Sequence, residues 1–99
     1  MIVTYKVAND WISGFQAEVT VKNTRTTPIS GWTAGWTYRN GQTISSSWNA
    51  TVSQSGAAVT AKNVNYNGSL AAGASTSFGF TGNATGANDV PSPVTCSAS

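Results

Sequence analysis

Polar and apolar residues alternate with a period of two through most of this 99-residue chain. Val3, Tyr5 and Val7 form one run; Phe15, Ala17, Val19 and Val21 a second; Trp32, Ala34, Trp36 and Tyr38 a third; Phe78 and Phe80 a fourth. Successive side chains of a strand point to opposite faces, so each run predicts a strand with one face buried and one wet. Shorter strands are predicted at Ala50 to Ser53, Ala57 to Asn63 and Val94 to Ser97. Turn-forming clusters separate them, including Thr27-Pro28-Ile29-Ser30-Gly31, Asn67-Gly68 and Ala72-Gly73. Asn40-Gly41, between Tyr38-Arg39 and Gln42-Thr43-Ile44, is the strongest local hairpin signal, because both residues tolerate the positive φ of a tight turn. No segment carries a helical period. The pattern predicts an all-β fold, an antiparallel β-sandwich of two sheets, immunoglobulin-like or jelly-roll-like. Without an internal repeat, charge block or linker, residues 1–99 read as a single domain.

The aromatic residues divide into two groups. Trp32 and Trp36 share one parity with Ala34 and Tyr38 and are expected in the core, as are Tyr5, Phe15, Phe78 and Phe80. Trp11, Trp48 and Tyr66 instead sit among polar, turn-forming neighbours: Asn9-Asp10-Trp11, Ser47-Trp48-Asn49 and Asn65-Tyr66-Asn67. Burying a large apolar side chain is worth about 1.5–3 kcal/mol, so rings placed in polar surroundings require a reason. For any one ring, folding back over the edge of the sandwich serves as well. For three, a binding face that stacks on a flat, uncharged ligand is the better account.

Composition narrows the chemistry further. Only 8% of residues are charged, with a net charge of +2. Lys6, Lys22, Arg25, Arg39 and Lys62 are scattered and oppose Asp10, Glu18 and Asp89. Nucleic-acid binding draws on concentrated phosphate neutralisation, which this distribution does not offer. No apolar run is long enough to span a membrane as a helix. Low charge with abundant Ser, Thr, Asn and Gly fits a secreted, extracellular β protein. Met1-Ile2-Val3-Thr4 carries no secretory signal, so a removed leader or an excised domain is expected. With no His and a lone Cys96, neither a metal site, a cofactor site nor Ser/His/Asp catalysis is expected. Glycoside hydrolysis needs two carboxylates flanking the scissile bond. Asp10 and Glu18 could approach one another, but nothing suggests a cleft around them, and the chain reads as non-enzymatic. Asn49, Asn67 and Asn83 begin Asn-x-Ser/Thr sequences, glycan acceptors in a eukaryotic secretory pathway and irrelevant in a bacterium.

Val3-Thr4-Tyr5-Lys6-Val7, Asn9-Asp10-Trp11 and Gly14-Phe15 closely resemble the opening of the family 2 carbohydrate-binding modules. The resemblance continues in order through Gly31-Trp32, Trp36, Gly41-Gln42, Trp48-Asn49-Ala50, Gln54-Ser55-Gly56, Asn63, Tyr66-Asn67-Gly68, Gly73 and Phe78-Gly79-Phe80. It implies a β-sandwich of the cellulose-binding branch, whose three rings lie in a row on a flat face, here Trp11, Trp48 and Tyr66. Xylan binders of the family carry an Arg that turns the first Trp upright; the matching Gly14 implies a flat Trp11. Asn9, Glu18 and Ser46 are implied as supporting residues beside the rings, although Glu18 and Ser46 replace the amide side chains common there. Tyr66 replaces the usual Trp. The family's end-to-end disulfide would pair a residue at Met1 with Cys96, which leaves Cys96 an orphan. The implied function is non-catalytic attachment of a covalently joined catalytic domain to crystalline cellulose by a monomeric module. Chitin, or a protein partner held by the same rings, remains the alternative.

Overall fold

The alternating runs become the strands of two facing sheets, and the rings of like parity meet between them. The computed structural model describes residues 1–84, 90, 91 and 93–98. Asp89 lies outside the described residues. In chain order the strands are β1 (Ile2–Trp11), β2 (Gly14–Lys22), β3 (Trp32–Thr37), β4 (Thr43–Trp48), β5 (Ala50–Ser55), β6 (Ala58–Asn63), β7 (Ser75–Asn83) and β8 (Thr95–Ala98). The first sheet has the order β1-β2-β7-β4 and the second β5-β6-β3-β8, every pairing being antiparallel. The fold is an all-β, two-sheet sandwich, as the alternation predicts.

The core is aromatic because both inner faces are. Phe15, Val19 and Val21 of β2 and Phe78 and Phe80 of β7 meet Trp32 and Trp36 of β3 and Val59 of β6, all buried. Trp32 stacks on Phe78 at 5.4 Å, and Trp36 stacks on Phe80 at 5.6 Å, with interplanar angles of 14° and 21°. Tyr5 meets Trp36 edge-on at 5.6 Å. These offset and edge-to-face arrangements are the ones aromatic quadrupoles favour. The Tyr5 and Tyr38 hydroxyls, 3.0 Å apart, satisfy each other inside this cluster. Burial pushes both hydroxyls above the usual tyrosine range, Tyr5 further through its bond to Tyr38, while the same bond restrains the rise of Tyr38.

Asn40-Gly41 does not close a hairpin. β3 belongs to the second sheet and β4 to the first, so residues 38–42 cross between sheets. Gly41 does adopt a positive φ of 70°. Local turn chemistry signals that the chain reverses; it does not say which sheet receives it. Side-chain amides replace ladder bonds at this corner. The Asn40 N–H donates to buried Gln42 Oε1, Gln54 Nε2 donates to the Gln42 carbonyl, and the Ile44 N–H donates to Gln54 Oε1, each at 2.9 Å. The two-residue reversals are instead Ile12-Ser13 between β1 and β2 and Gly56-Ala57 between β5 and β6, with Gly56 at φ 61°.

Cys96 is a free, half-buried thiol on β8, opposite Ala34 of β3. Burial raises its pKa, and the positive N-terminal amine of Met1 opposes that rise, while β1 and β8 pack against each other. The Met1 side chain packs against the core. Met1→Cys should therefore permit a bridge to Cys96 that closes nearly the whole chain, raising stability by about 2–5 kcal/mol. Guanidinium unfolding midpoints should rise under oxidising conditions and return to the parent value with a reductant.

The buried tyrosines set a limit at high pH. Their protons are held more tightly in the folded chain than in the unfolded one, where tyrosine titrates near about 10. Stability should be level below about pH 10 and fall as pH rises beyond it, because there the unfolded state binds fewer protons. Urea midpoints across that range should show this decline, and Tyr5→Phe should make it shallower.

Candidate functional site

Simple alternation from Val3 and Tyr5, which pack against the core, would put Trp11 inside the sandwich, since all three positions are odd. One extra residue prevents this. Val7 pairs with Ala17 and Asn9 with Gln16, so Ala8 is bulged out of the register and the parity changes. Trp11 then stands opposite Gly14, on the outer face with Gln16 and Glu18. The same device recurs in β4. Ile44 pairs with Gly82 and Ser46 with Thr81, leaving Ser45 as the extra residue and turning Trp48 outward, opposite Gly79. The Ser45 hydroxyl donates to the Thr81 carbonyl at 3.1 Å and closes the bulge. A bulge re-aims every side chain that follows it on its strand.

Each outward Trp lies across a glycine of the neighbouring strand. A Cβ built on Gly14 would stand 2.6 Å from Trp11 Nε1, and one built on Gly79 would stand 2.5 Å from Trp48 Cε2. Neither separation is one that a real Cβ tolerates, so the rings occupy the space side chains would fill. Trp11 is 46% exposed and Trp48 41%. Gly79 also pairs with Glu18, and Gly14 lies four residues before Glu18 on β2. At strand dimensions the two ring seats are therefore about 14 Å apart.

Tyr66, 71% exposed, follows β6 and is positioned by hydrogen bonds rather than by a strand. Its hydroxyl donates to Asn49 Oδ1 at 2.5 Å. Asn49 directly follows Trp48 and holds a left-handed φ of 63°, which Asn tolerates better than most residues, as the chain passes from β4 to β5 in the other sheet. Asn67 completes the clamp. Its Nδ2 donates to the Asn49 carbonyl at 2.6 Å, its Oδ1 accepts from the Val64 N–H at 2.9 Å, and its carbonyl accepts from Trp32 Nε1 at 2.9 Å. Tyr66 is thus tied to the end of β4, on the side of Trp48 away from Trp11.

Trp11, whose neighbours read as a turn, is in fact the last residue of β1; Trp48 is the last residue of β4, an exposed position on a strand. Of the supporting residues, Gly14 underlies Trp11, Glu18 is exposed beside Gly79, and Ser46 is exposed opposite Thr81, between the two Trp levels. Asn9 pairs with Gln16, and its Oδ1 accepts from the Asp10 N–H at 3.0 Å. Asp10 and Glu18 do not face each other across a cleft, since their partners are Phe15 and Lys6 on one flat pairing. Sequence reasoning missed three residues: Gly79, Asn49 and Ile12, the last wholly exposed at the hairpin tip beside Trp11. A glycine inside a strand, between Phe78 and Phe80, was the readable sign of a close approach. Ring–ring contacts among the described residues join only the seven core aromatics, so the exposed rings are not satisfied by stacking on one another.

Comparison with known proteins agrees with this architecture. The chain is 55% identical over 96 residues to endoglucanase A of Thermobispora bispora, a stretch covering 97% of this chain and 21% of that enzyme. The chain thus spans about a fifth of that relative's length. The solution structure of the chitin-binding domain of Chi18aC from Streptomyces coelicolor matches with a TM-score of 0.78 and 47% identity, covering 95% of this chain and 87% of that one. The cellulose-binding family 2 domain of ScLPMO10C matches with a TM-score of 0.75 and 37% identity, covering 98% and 94%. The cellulose binding domain family matches residues 1–98, and the chain belongs to it, as a family 2 carbohydrate-binding module.

Proposed function

We propose that this chain is a single, monomeric, non-catalytic module that binds crystalline cellulose through Trp11, Trp48 and Tyr66 and tethers a secreted polysaccharide-degrading enzyme to it. The observation that carries the reading is the pair of exposed Trp rings seated on glycines of the same sheet face, with Tyr66 clamped beside the second. A ring lying on the sheet presents its π face outward. The axial C–H faces of glucose units can stack on it, burying apolar area on both partners. Glu18, Ser46 and Asn9 stand near the rings on or beside this face, where polar groups would meet sugar hydroxyls. Tethering raises the local concentration of the attached enzyme without a new contact to its substrate.

Chitin is the second reading, favoured by the higher identity and TM-score of the chitin-binding domain from Streptomyces coelicolor. Its sugars offer similar faces with added acetamido groups. Depletion from solution onto cellulose and chitin powders, side by side, ranks the two ligands.

Replacing Trp11, Trp48 and Tyr66 together by Ala should abolish pull-down on microcrystalline cellulose while far-UV circular dichroism stays unchanged. Trp48→Ala alone should weaken binding by roughly tenfold or more, given the area each ring buries. Retained binding by the triple variant would defeat the proposal.

Tyr66→Phe tests the clamp. Losing the hydroxyl bond to Asn49 removes about 1 kcal/mol of ring positioning, so adsorption isotherms should show roughly fivefold weaker binding at nearly constant stability. An unchanged isotherm would mean the ring is held by something other than its hydroxyl.

A further inference from the structure

Gly79 is a glycine that its own backbone does not need. Among the described residues the glycines with positive φ are Gly41, Gly56 and Gly73; Gly79 lies in the interior of β7, paired on both sides with Glu18 and Trp48. Any residue adopts such an extended conformation, and glycine there weakens a strand relative to alanine. Space is the remaining explanation. The three atoms nearest to a Cβ at Gly79 all belong to the Trp48 indole: Cε2 and Cζ2 at 2.5 Å and Nε1 at 2.6 Å. Gly14 differs, because a Cβ there would also stand 2.7 Å from the Gly82 carbonyl oxygen, and substitution would disturb backbone as well as Trp11.

We infer that Gly79 is a positioning residue that holds Trp48 flat against the sheet and thereby sets a preference for planar, crystalline polysaccharide over single soluble chains. This rests on the reading of the exposed rings as a polysaccharide-binding face. A methyl group under the indole must displace it, because the atoms below are backbone of a central strand and those above are solvent. The ring lifts and tilts. A rigid flat surface then touches its raised edge first and loses contact with the rings on either side. A flexible single chain conforms to a tilted ring at little cost, so its affinity does not depend on the seat.

The test is a double-mutant cycle of Gly79→Ala and Trp48→Ala, measuring adsorption to microcrystalline cellulose and chitin and titration with soluble cellohexaose. G79A should weaken adsorption to the powder that the parent binds by about fivefold or more, leave cellohexaose affinity within about twofold, and leave the thermal midpoint equal or higher. It should also change the near-UV circular dichroism of Trp48 and have no further effect on adsorption in the W48A background. A thermal midpoint of G79A well below the parent's would overturn the inference too, because the added Cβ would then strain the sheet rather than lift the ring. Full-strength adsorption by G79A, or an equal loss with and without Trp48, would overturn the inference while leaving the binding function intact. Failure of the parent chain to adsorb to either powder would instead overturn the polysaccharide reading, and this inference with it.

Discussion

A β-strand sends alternate residues to opposite faces, and the outer face of this module is built by breaking that rule once in each of its two outermost strands. Ala8 in β1 and Ser45 in β4 are the extra residues. Before each bulge, the odd positions Val3 and Tyr5 and the even position Ile44 pack toward the core; after it, Trp11 and Trp48 face solvent. Without the insertions, both rings would be directed into an interior already filled by stacked Trp36, Phe78 and Phe80. Bulges are common at sheet edges, where they also blunt unpaired ladder groups against aggregation. Here β1 and β4 are the edges of the first sheet, so the same device serves both ends.

Turning a ring outward is not enough to make it useful, because an unsupported indole samples many rotamers and must give them up on binding. The central strands supply the support. β2 and β7 each present a glycine under the ring that reaches over from the edge, Gly14 under Trp11 and Gly79 under Trp48. Tyr66 arrives from the other sheet, after β6, and is held by a hydroxyl bond to Asn49. The hydroxyl is what distinguishes a tyrosine from a tryptophan at this position. An indole cannot accept or donate through a terminal hydroxyl, whereas Tyr66 closes a network running through Asn49 and Asn67 to Trp32 of the core.

The core was legible because its signal is redundant. Phe15, Val19, Val21, Trp32, Trp36, Phe78 and Phe80 all lie in runs of unbroken parity, and each is buried. The sheet assignment of β3 and β4 was not legible, since Asn40-Gly41 has the same turn chemistry whether the chain returns to its own sheet or crosses to the facing one. The exposure of the three rings was readable from their polar neighbours, yet Trp11, whose neighbours read as a turn, closes a strand. Polar flanks mark exposure, and a bulged strand exposes a residue as well as a loop does. Ala8 and Ser45 carry no compositional mark of a bulge, so only the register reveals them.

The placement of two rings on strands rather than loops bears on the energetics of recognition. A loop-borne aromatic orders its own backbone on binding, while Trp11 and Trp48 stand on ladders that are already formed and continuous with the core. Their spacing is likewise fixed by strand geometry, through the step of four residues from Gly14 to Glu18 on β2. A ligand with a regular repeat rewards such fixed spacing, because each contact made brings the next into register without further ordering. A deformable partner gains little from it. For the proposed binding of an ordered solid, the rigidity of the seats therefore matters more than the presence of the rings.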